Sequence, residues 1–450
     1  MFKRILIANR GEIAVRIIRA CRELGIECVA AYSTADKNSI HVKLSDKSIC
    51  IGPPSPSKSY LNMDNIISAA LVMKCDAIHP GYGFLAENPE FVNKCQQNNL
   101  VFIGPPSETI SLAGNKSKAI EVMQQNKIPV IPGSSGNVEN VKEALKLGKR
   151  LGYPVVIKAS FGGGGKGMRI CNNKNELLNY FPLAKSESES SFGKPEVYIE
   201  KYISRPRHIE FQIIADNYGN IICVGERECS IQRRHQKLIE EAPAVNLPPK
   251  TVKLMREFAV RAAKAINYKN LGTIEFLLDE QGNFYFIEVN TRIQVEHPVT
   301  EMVTGIDLVK EQIKIAAGEI VDNTGENYNY RGHSIEFRVN AEDPDNDFKP
   351  CPGKITNFLP SGGPGIRVDT FVQPGCEILP FYDSLIAKLI VWDRTRDEAI
   401  LRSKRALDEF KIEGIKTTIP FYKKIIQNKN FQKGNIHTHF IEEEMNNRPI

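Results

Sequence analysis

Two apolar runs joined by a short polar turn constrain this chain most. They are "TIEFLL", residues 273–278, and "FYFIEVN", residues 284–290, separated by "DEQGN". Aromatic and branched residues dominate both, and Gly282 sits in the connection, so the segment reads as a β-hairpin. If Asp279 pairs with Phe284, the same register sets Glu275 directly opposite Glu288. Like charges facing each other across strands are destabilising. Either one carboxyl has a raised pKa or a cation lies between the two. Beyond the hairpin, Glu288, Asn290, Arg292, Gln294 and Glu296 recur at two-residue spacing. Alternate side chains of an extended segment share a face. The spacing therefore predicts a row of five polar groups, with Ile287, Val289, Ile293 and Val295 on the other side. Oxygen-only donors (Glu275, Glu288, with Asn290 as a third) suit Mg²⁺. Arg292 offers a rigid donor fork for an anion, Gln294 an orienting amide, and Glu296 a candidate general base. Such a row fits phosphoryl transfer to an oxyanion nucleophile.

The first 115 or so residues alternate strand and helix patterns, as in "RILIA", "GEIAVRIIRACRELG" and "ECVAAYS". That predicts an open parallel α/β sheet. Its first turn, "ANRGE", holds one glycine and departs from the dinucleotide fingerprint. After a helical connection at 117–125, strand 155–160 enters "FGGGGKG" and strand 168–171 leaves it. Gly162, Gly164 and Gly167 match GxGxxG formally. No helix follows, however, and Lys166 precedes Gly167 rather than Ser or Thr, so neither phosphate-loop reading has its context. A glycine-rich hairpin is a flap whose backbone N–H groups can fold onto phosphates, and Lys158 on the adjoining strand favours a ligand there. "KSESESSFGKPE" reads as a polar loop. The remainder mixes hairpins with helices near 250–266, 307–317 and 396–410, consistent with a larger α+β domain. The segmentation expected is an N-terminal α/β domain at 1–115, a linker helix and lid at 116–204, a core at 205–330 and a C-terminal region at 331–445.

A second dense stretch, "ERECSIQRRHQKLIEEAP", places Arg233, Arg234, His235 and Lys237 close together. They can surround an anion, or form a solvated turn with Glu240 and Glu241 as partners. Ten cysteines occur without CxxC or metal-type spacing, which reads as reduced core thiols. Dispersed basic residues and a net charge of +6 give no footprint for nucleic acid. No apolar run approaches the roughly 18–20 residues of a membrane helix.

"IANRGEIAVRIIRAC", "HPGYGFLAENPEF", "VVIKASFGGGGKGM", "SIQRRHQKLIEEAP" and "FIEVNTRIQVEHPVTE" closely resemble biotin carboxylase, of the ATP-grasp superfamily. The nearest likeness is to the biotin carboxylase component of acetyl-CoA carboxylases of the multi-subunit type. The resemblance covers essentially the whole chain, with the motifs in the family's order. It implies an ATP-grasp fold with a mobile glycine-rich lid. It implies an ATP site of Lys116, Lys158, Glu200, Lys201, Tyr202, Ile203, His208, Gln232, His235 and Ile436, with Gly164 and Gly165 in the flap. Glu275, Glu288 and Asn290 would hold Mg²⁺ or Mn²⁺. Lys237, Arg292, Gln294, Val295 and Glu296 would hold bicarbonate, with Glu296 as base, and Arg338 would stabilise the biotin enolate. Phe161 departs from the family's longer glycine run. The implied partners are a biotin carboxyl carrier protein and carboxyltransferase subunits, with a homodimer in the cytoplasm and neither nucleic acid nor membrane. No Met-Lys-Met biotinylation core occurs in the sequence, so the biotin is expected on another protein. Acetyl-CoA is the expected final acceptor, with pyruvate or another acyl-CoA as the alternative. The rivals are an ATP-grasp ligase with a different acceptor and a nucleotide-binding regulator without turnover.

Overall fold

The computed structural model describes residues 1–161, 168–321 and 330–445. The N-terminal sheet consists of β1 (Arg4–Ile7), β2 (Glu27–Ser33), β3 (Lys47–Gly52), β4 (Ala77–His79) and β5 (Val101–Phe102). Its strands are parallel in the order β3-β2-β1-β4-β5. Ile5, Leu6 and Ile7 are all buried, as a strand covered on both faces requires. The helix Gly11–Glu23 is buried over most of its surface, with Ile13, Ile17, Ile18 and Cys21 inside and Glu12 and Arg16 buried as well. Strand order reverses between β1 and β4, which opens a crevice beyond their carboxyl ends. Asn9 ties the two loops together there, donating to the carbonyls of Pro80 (2.6 Å) and Tyr82 (2.7 Å). Gly81 makes this close approach possible: its φ is +63°, and a Cβ would stand 2.9 Å from Asn9 Nδ2. The edge strand β3 is only partly buried, which is why its weak pattern escapes a reading by hydrophobic periodicity.

A three-stranded antiparallel lid follows: β6 (Val155–Ala159), β7 (Arg169–Cys171) and β8 (Val197–Lys201), in the order β7-β6-β8. Helices Val141–Leu151 and Lys174–Phe192 pack on it. The second helix corrects the expected loop, since the Ser/Glu-rich run through Ser191 is helical. Leu177, Phe181, Ala184 and Ser188 are buried at helical spacing, so the buried stripe carries into the polar run. Ser188 Oγ donates to the carbonyls of Lys194 (2.8 Å) and Glu196 (3.3 Å), and Gly193 ends the helix in the left-handed conformation.

The large sheet is antiparallel and eight-stranded. It begins with β9 (Arg207–Ala215), β10 (Ile221–Arg233), β11 (Gln236–Ala242), β12 (Asn270–Leu278), β13 (Phe284–Asn290) and β14 (His333–Asn340). The order is β13-β12-β9-β10-β11-β14, then strands Leu385–Asp393 and Ile366–Thr370. Segments before and after residue 330 thus share one sheet through the β11–β14 ladder. Together the sheets give the mixed architecture expected: a parallel N-terminal sheet and a larger antiparallel one.

The β12–β13 hairpin reaches the expected outcome by a different register. Leu278 pairs with Phe284, not Asp279, and Phe276 pairs with Phe286. Ile287 is then an extra residue, a β-bulge, after which Glu275 stands opposite Glu288. Glu240 and Glu241 also depart from expectation, because neither pairs with the Arg233–Lys237 run. Strand alternation sends them to opposite faces, and Glu241 binds helix Arg396–Glu409. Arg396 grips it twice, Nε to Oε2 at 2.7 Å and an Nη to Oε1 at 3.0 Å, and His333 Nε2 lies 2.7 Å away.

Burial opposes ionisation of Glu241, but Arg396 outweighs it and holds the carboxyl at about 2. Because the folded pKa lies below the unfolded value of about 4.3, the stabilisation is complete above that value. It is lost as pH falls toward 2. Glu241→Gln should cost about 3–5 kcal/mol at neutral pH and much less near pH 2, measured by urea titration at both. An equal loss at both would contradict the pairing.

Candidate active site

Two cavities meet along β12 and β13. The first, of about 600 Å³, lies between the lid sheet and the large sheet. The second, of about 490 Å³, lies between the large sheet and the N-terminal crevice at β1 and β4. His208, His235, Glu275 and Glu288 line both.

Lys237 is the hub beneath this seam. Its ammonium donates to Glu210 Oε2 at 2.5 Å, Glu275 Oε1 at 2.8 Å and Glu296 Oε1 at 2.7 Å. Arg338 takes the other oxygen of Glu296 at 2.9 Å and donates through Nε to Glu240 Oε1 at 2.6 Å. Burial opposes ionisation of Glu296, but Lys237 and Arg338 overcome it and hold the carboxyl far below its usual range. Glu275 behaves likewise, with burial outweighed by Lys237 and His208. His208 Nε2 lies 2.9 Å from Glu275 Oε2. Burial would keep that imidazole neutral, but the carboxylate raises its pKa instead.

Arg292 is aimed by three side-chain acceptors, Glu87 Oε2 at 2.8 Å, Gln294 Oε1 at 2.8 Å and Asn290 Oδ1 at 3.2 Å, and by the carbonyl of Ile293 at 3.3 Å. The row 288–296 does converge, though not as one extended face. β13 stops at Asn290, and a turn carries the chain into helix His297–Thr304. Gln294 lines the second cavity from that turn, Glu296 lies fully buried behind it on Lys237 and Arg338, and the carbonyl of Val295 accepts from buried Lys388 at 2.9 Å. The bulge also brings Ile287 to the first cavity beside Glu288, against the expected alternation.

Lys116, Lys158, Glu200, Lys201, Tyr202, Ile203, His208, Gln232 and His235 all line the first cavity. Lys158 pairs with Glu200, and burial together with Lys158 lowers the pKa of His235. Phe161 forms part of the wall, with Lys194 Nζ 4.3 Å from its ring centre. Ile436 is instead buried in the C-terminal core, while Thr438, His439 and Glu442 of the following turn face the cavity. Gly164 and Gly165 lie outside the described residues. Lys237, Asn290, Arg292, Gln294, Val295 and Arg338 line the second cavity.

Protein cations answer the facing carboxylates of the hairpin. Glu275 is held by Lys237, and Glu288 Oε2 lies 2.6 Å from Lys116 Nζ. Burial opposes the charge on Lys116, but Glu288 raises its pKa. The donor set nonetheless fits Mg²⁺: two opposed carboxylates and an amide, all oxygen, where the cavities meet.

Several participants escaped the sequence reading. Fully buried Arg227 pairs with Glu210 and donates to Gln212, Thr300 and Thr273. Glu210 and Gln212 alternate with apolar residues in "HIEFQII", the same signal that marked Glu288. Glu87 carries no such mark; only the fold brings it to Arg292.

A charged cleft between a small lid sheet and a large antiparallel sheet, with lysines from the lid and carboxylates from the core, defines an ATP-grasp enzyme. Residues 1–110 match the family model for the biotin carboxylase N-terminal domain, and residues 336–443 that for the biotin carboxylase C-terminal domain. Residues 115–324 match the carbamoyl-phosphate synthase L chain ATP binding domain. The chain is 56% identical to a biotin carboxylase of Nostoc sp., covering 98% of this chain and 99% of that one. It is 54% identical to a pyruvate carboxylase subunit of Methanothermobacter thermautotrophicus, over 98% and 90% of the two chains. Among solved structures it resembles the biotin carboxylase domain dimer of Hydrogenobacter thermophilus 2-oxoglutarate carboxylase, in complex with MgADP, ADP and bicarbonate. That match has a TM-score of 0.95 at 49% identity, covering 99% and 98% of the chains. The chain belongs to the biotin carboxylase family of carboxylase ligases.

Proposed function

We propose that this chain carboxylates biotin on a separate carrier protein, using ATP and bicarbonate, as the first half-reaction of an acetyl-CoA carboxylase. One observation carries the reading. Glu296, ionised between Lys237 and Arg338, lies buried behind a cavity that Lys237, Arg292 and Arg338 line, and that cavity adjoins a nucleotide-sized one. Lys116, Lys158, His208 and Gln232 would surround ATP. Arg292, Lys237 and Gln294 would hold bicarbonate, the compact anion their donors suit. Glu296 accepts the bicarbonate proton. Its basicity rises as the bound substrates draw Lys237 and Arg338 away from it. A bicarbonate oxygen attacks the γ-phosphorus, the bond to the β-γ bridging oxygen breaks, and ADP leaves. The resulting carboxyphosphate splits into CO₂ and phosphate. Phosphate removes the ureido N–H proton, and that nitrogen bonds to CO₂, with Arg338 opposite the charge that develops on the ureido oxygen. Glu275, Glu288 and Asn290 would hold Mg²⁺ or Mn²⁺, which neutralises phosphate charge when bound.

The acceptor reading has a rival with its own support, the 54% identity to a pyruvate carboxylase subunit. Carboxyltransferase subunits for acetyl-CoA, a homodimer and a cytoplasmic setting complete the proposal. Among the described residues, no helix is long and apolar enough to cross a membrane.

ADP release should require bicarbonate, the divalent metal and biotin together. A biotinylated carrier should exceed free biotin in kcat/KM, because remote contacts help position the ring. Equal ATP turnover in bicarbonate-depleted buffer refutes the reaction. Identification of the biotinylated protein that co-purifies, and of the acyl group its carboxyltransferase accepts, decides between acetyl-CoA and pyruvate.

A further inference from the structure

Behind Arg338 the large sheet carries two carboxyl groups that the reaction above does not use. The β11–β14 ladder sets Glu240 directly opposite Glu336. Arg338 is two residues beyond Glu336 on β14, and Lys388 stands opposite Arg338 on the next strand. All four side chains therefore share one face of the sheet. Glu240, Glu336 and Lys388 are 0% exposed. Opposed like charges destabilise a ladder, and a buried charge needs a partner.

The cations facing this pair also serve other oxygens. Lys388 donates to the Val295 carbonyl at 2.9 Å and lies 3.2 Å from Glu12 Oε2. Arg338 serves Glu240 Oε1 and Glu296 Oε2. Glu296 adds a further negative charge to the group, and Lys237 is held by its own three carboxylates. Among the described residues, neither oxygen of Glu336 accepts a hydrogen bond, and nor does Glu240 Oε2. Two carboxylates with three unanswered buried oxygens and one shared guanidinium leave room for a single negative charge. The guanidinium decides its place: Glu240 is the carboxylate and Glu336 the acid.

We propose that Glu336 is a positioning residue, whose protonated carboxyl donates a hydrogen bond to Glu240 Oε2 and so fixes Glu240 against Arg338. Arg338 is then aimed at Glu296 and at the cavity in which the ureido ring would react. The titration of the pair agrees with this order. Burial and the Glu240 charge push Glu336 well above the usual carboxylate range, against the pull of Lys388. Burial raises Glu240 to about 7, against the pull of Arg338. Both shifts favour retention of a proton by the pair. The arrangement is a carboxylic acid kept neutral so that it can donate a hydrogen bond. Its catalytic consequence rests on the biotin carboxylase reaction; the retained proton does not.

Infrared difference spectra of the full chain without substrates read the proton directly. The wild type at neutral pH should show a protonated-carboxyl band that is missing from both Glu336→Gln and Glu336→Leu. Gln keeps the shape and a donor but cannot ionise. Glu336→Gln should hold kcat/KM for biotin within about threefold of the wild type at neutral pH, and it should lack the alkaline loss that the wild type shows when the pair gives up its proton. Glu336→Leu, which leaves Glu240 Oε2 unanswered, should lose on the order of tenfold or more in kcat/KM for biotin, with the KM for ATP unchanged. A wild-type spectrum without the band, or a Gln variant that keeps the wild-type alkaline limb, overturns the proposal. A band in a wild-type chain that carboxylates no biotin would refute the reaction and not the proton.

Discussion

Lys237→Met should abolish measurable turnover and lower stability by about 3–5 kcal/mol, the cost of removing one partner from a buried ion group. The side chain is only 12% exposed, and its ammonium meets three carboxylates. Met fills nearly the same volume, so the loss is electrostatic and not a cavity. Each orphaned carboxylate keeps one other cationic neighbour: Arg227 for Glu210, His208 for Glu275 and Arg338 for Glu296. Mutual repulsion then favours uptake of a proton by the group, and Glu296 is held ionised less firmly. The acid limb tests the sign. In the wild type, Glu275 and Glu296 have folded pKa values below the unfolded value of about 4.3. Their stabilisation is present above that pH and drains away as pH falls below it. In Lys237→Met the shifts shrink, so stability should vary less with pH over that range. Lys237→Met/Glu210→Gln removes one negative charge from the group while leaving an amide oxygen to accept from Arg227. It should recover part of the urea midpoint while turnover stays absent. A single variant with a wild-type midpoint and wild-type bicarbonate KM would contradict the hub role of Lys237.

The features legible in the sequence were those set by local pattern. The helix expected near 396–410 is found at Arg396–Glu409, where the structure adds a capping box of Thr395 and Glu398 at its start. The parallel order of the first sheet follows from strand–helix alternation with short turns. The pairing of Glu275 with Glu288 was legible, but its route was not. A bulge adds one residue without any compositional mark, and here it corrected a register begun one residue out. The row from Glu288 to Glu296 was visible because polar residues interrupted an apolar strand. Its convergence depends instead on a turn after Asn290 that strand alternation does not describe. Helix Lys174–Phe192 was hidden because Ser and Glu dominate the half that carries Ser188 inward. Pairs such as Arg292–Glu87 and Arg227–Glu210 belong to tertiary structure. Sequence supplies the charges, and the sheet order decides which of them meet.

Glu288→Gln separates catalysis from stability more cleanly than Lys237→Met does. Glu288 is 30% exposed at the seam of the two cavities. It stands opposite Glu275 and contacts Lys116 Nζ at 2.6 Å. Gln preserves the outline and removes one of two opposed charges, so cross-strand repulsion falls while the contact to Lys116 weakens. The two effects oppose each other, each within about 1 kcal/mol, and the urea midpoint should stay close to wild type. Turnover should not. One anionic oxygen leaves the set that would hold the divalent metal, and Lys116 loses the carboxylate it pairs with in the first cavity. Removal of a single electrostatic stabiliser at a reacting centre typically costs about 10²–10³ in rate. The metal requirement should move to higher concentration at the same time, because Mg²⁺ prefers carboxylate to amide oxygen. Bicarbonate-dependent ADP release, titrated with Mg²⁺ in parallel with urea denaturation, reads all three quantities. Wild-type turnover with unchanged metal dependence would detach Glu288 from the metal site. A collapse in stability alongside the lost turnover would instead assign it to holding the hairpin.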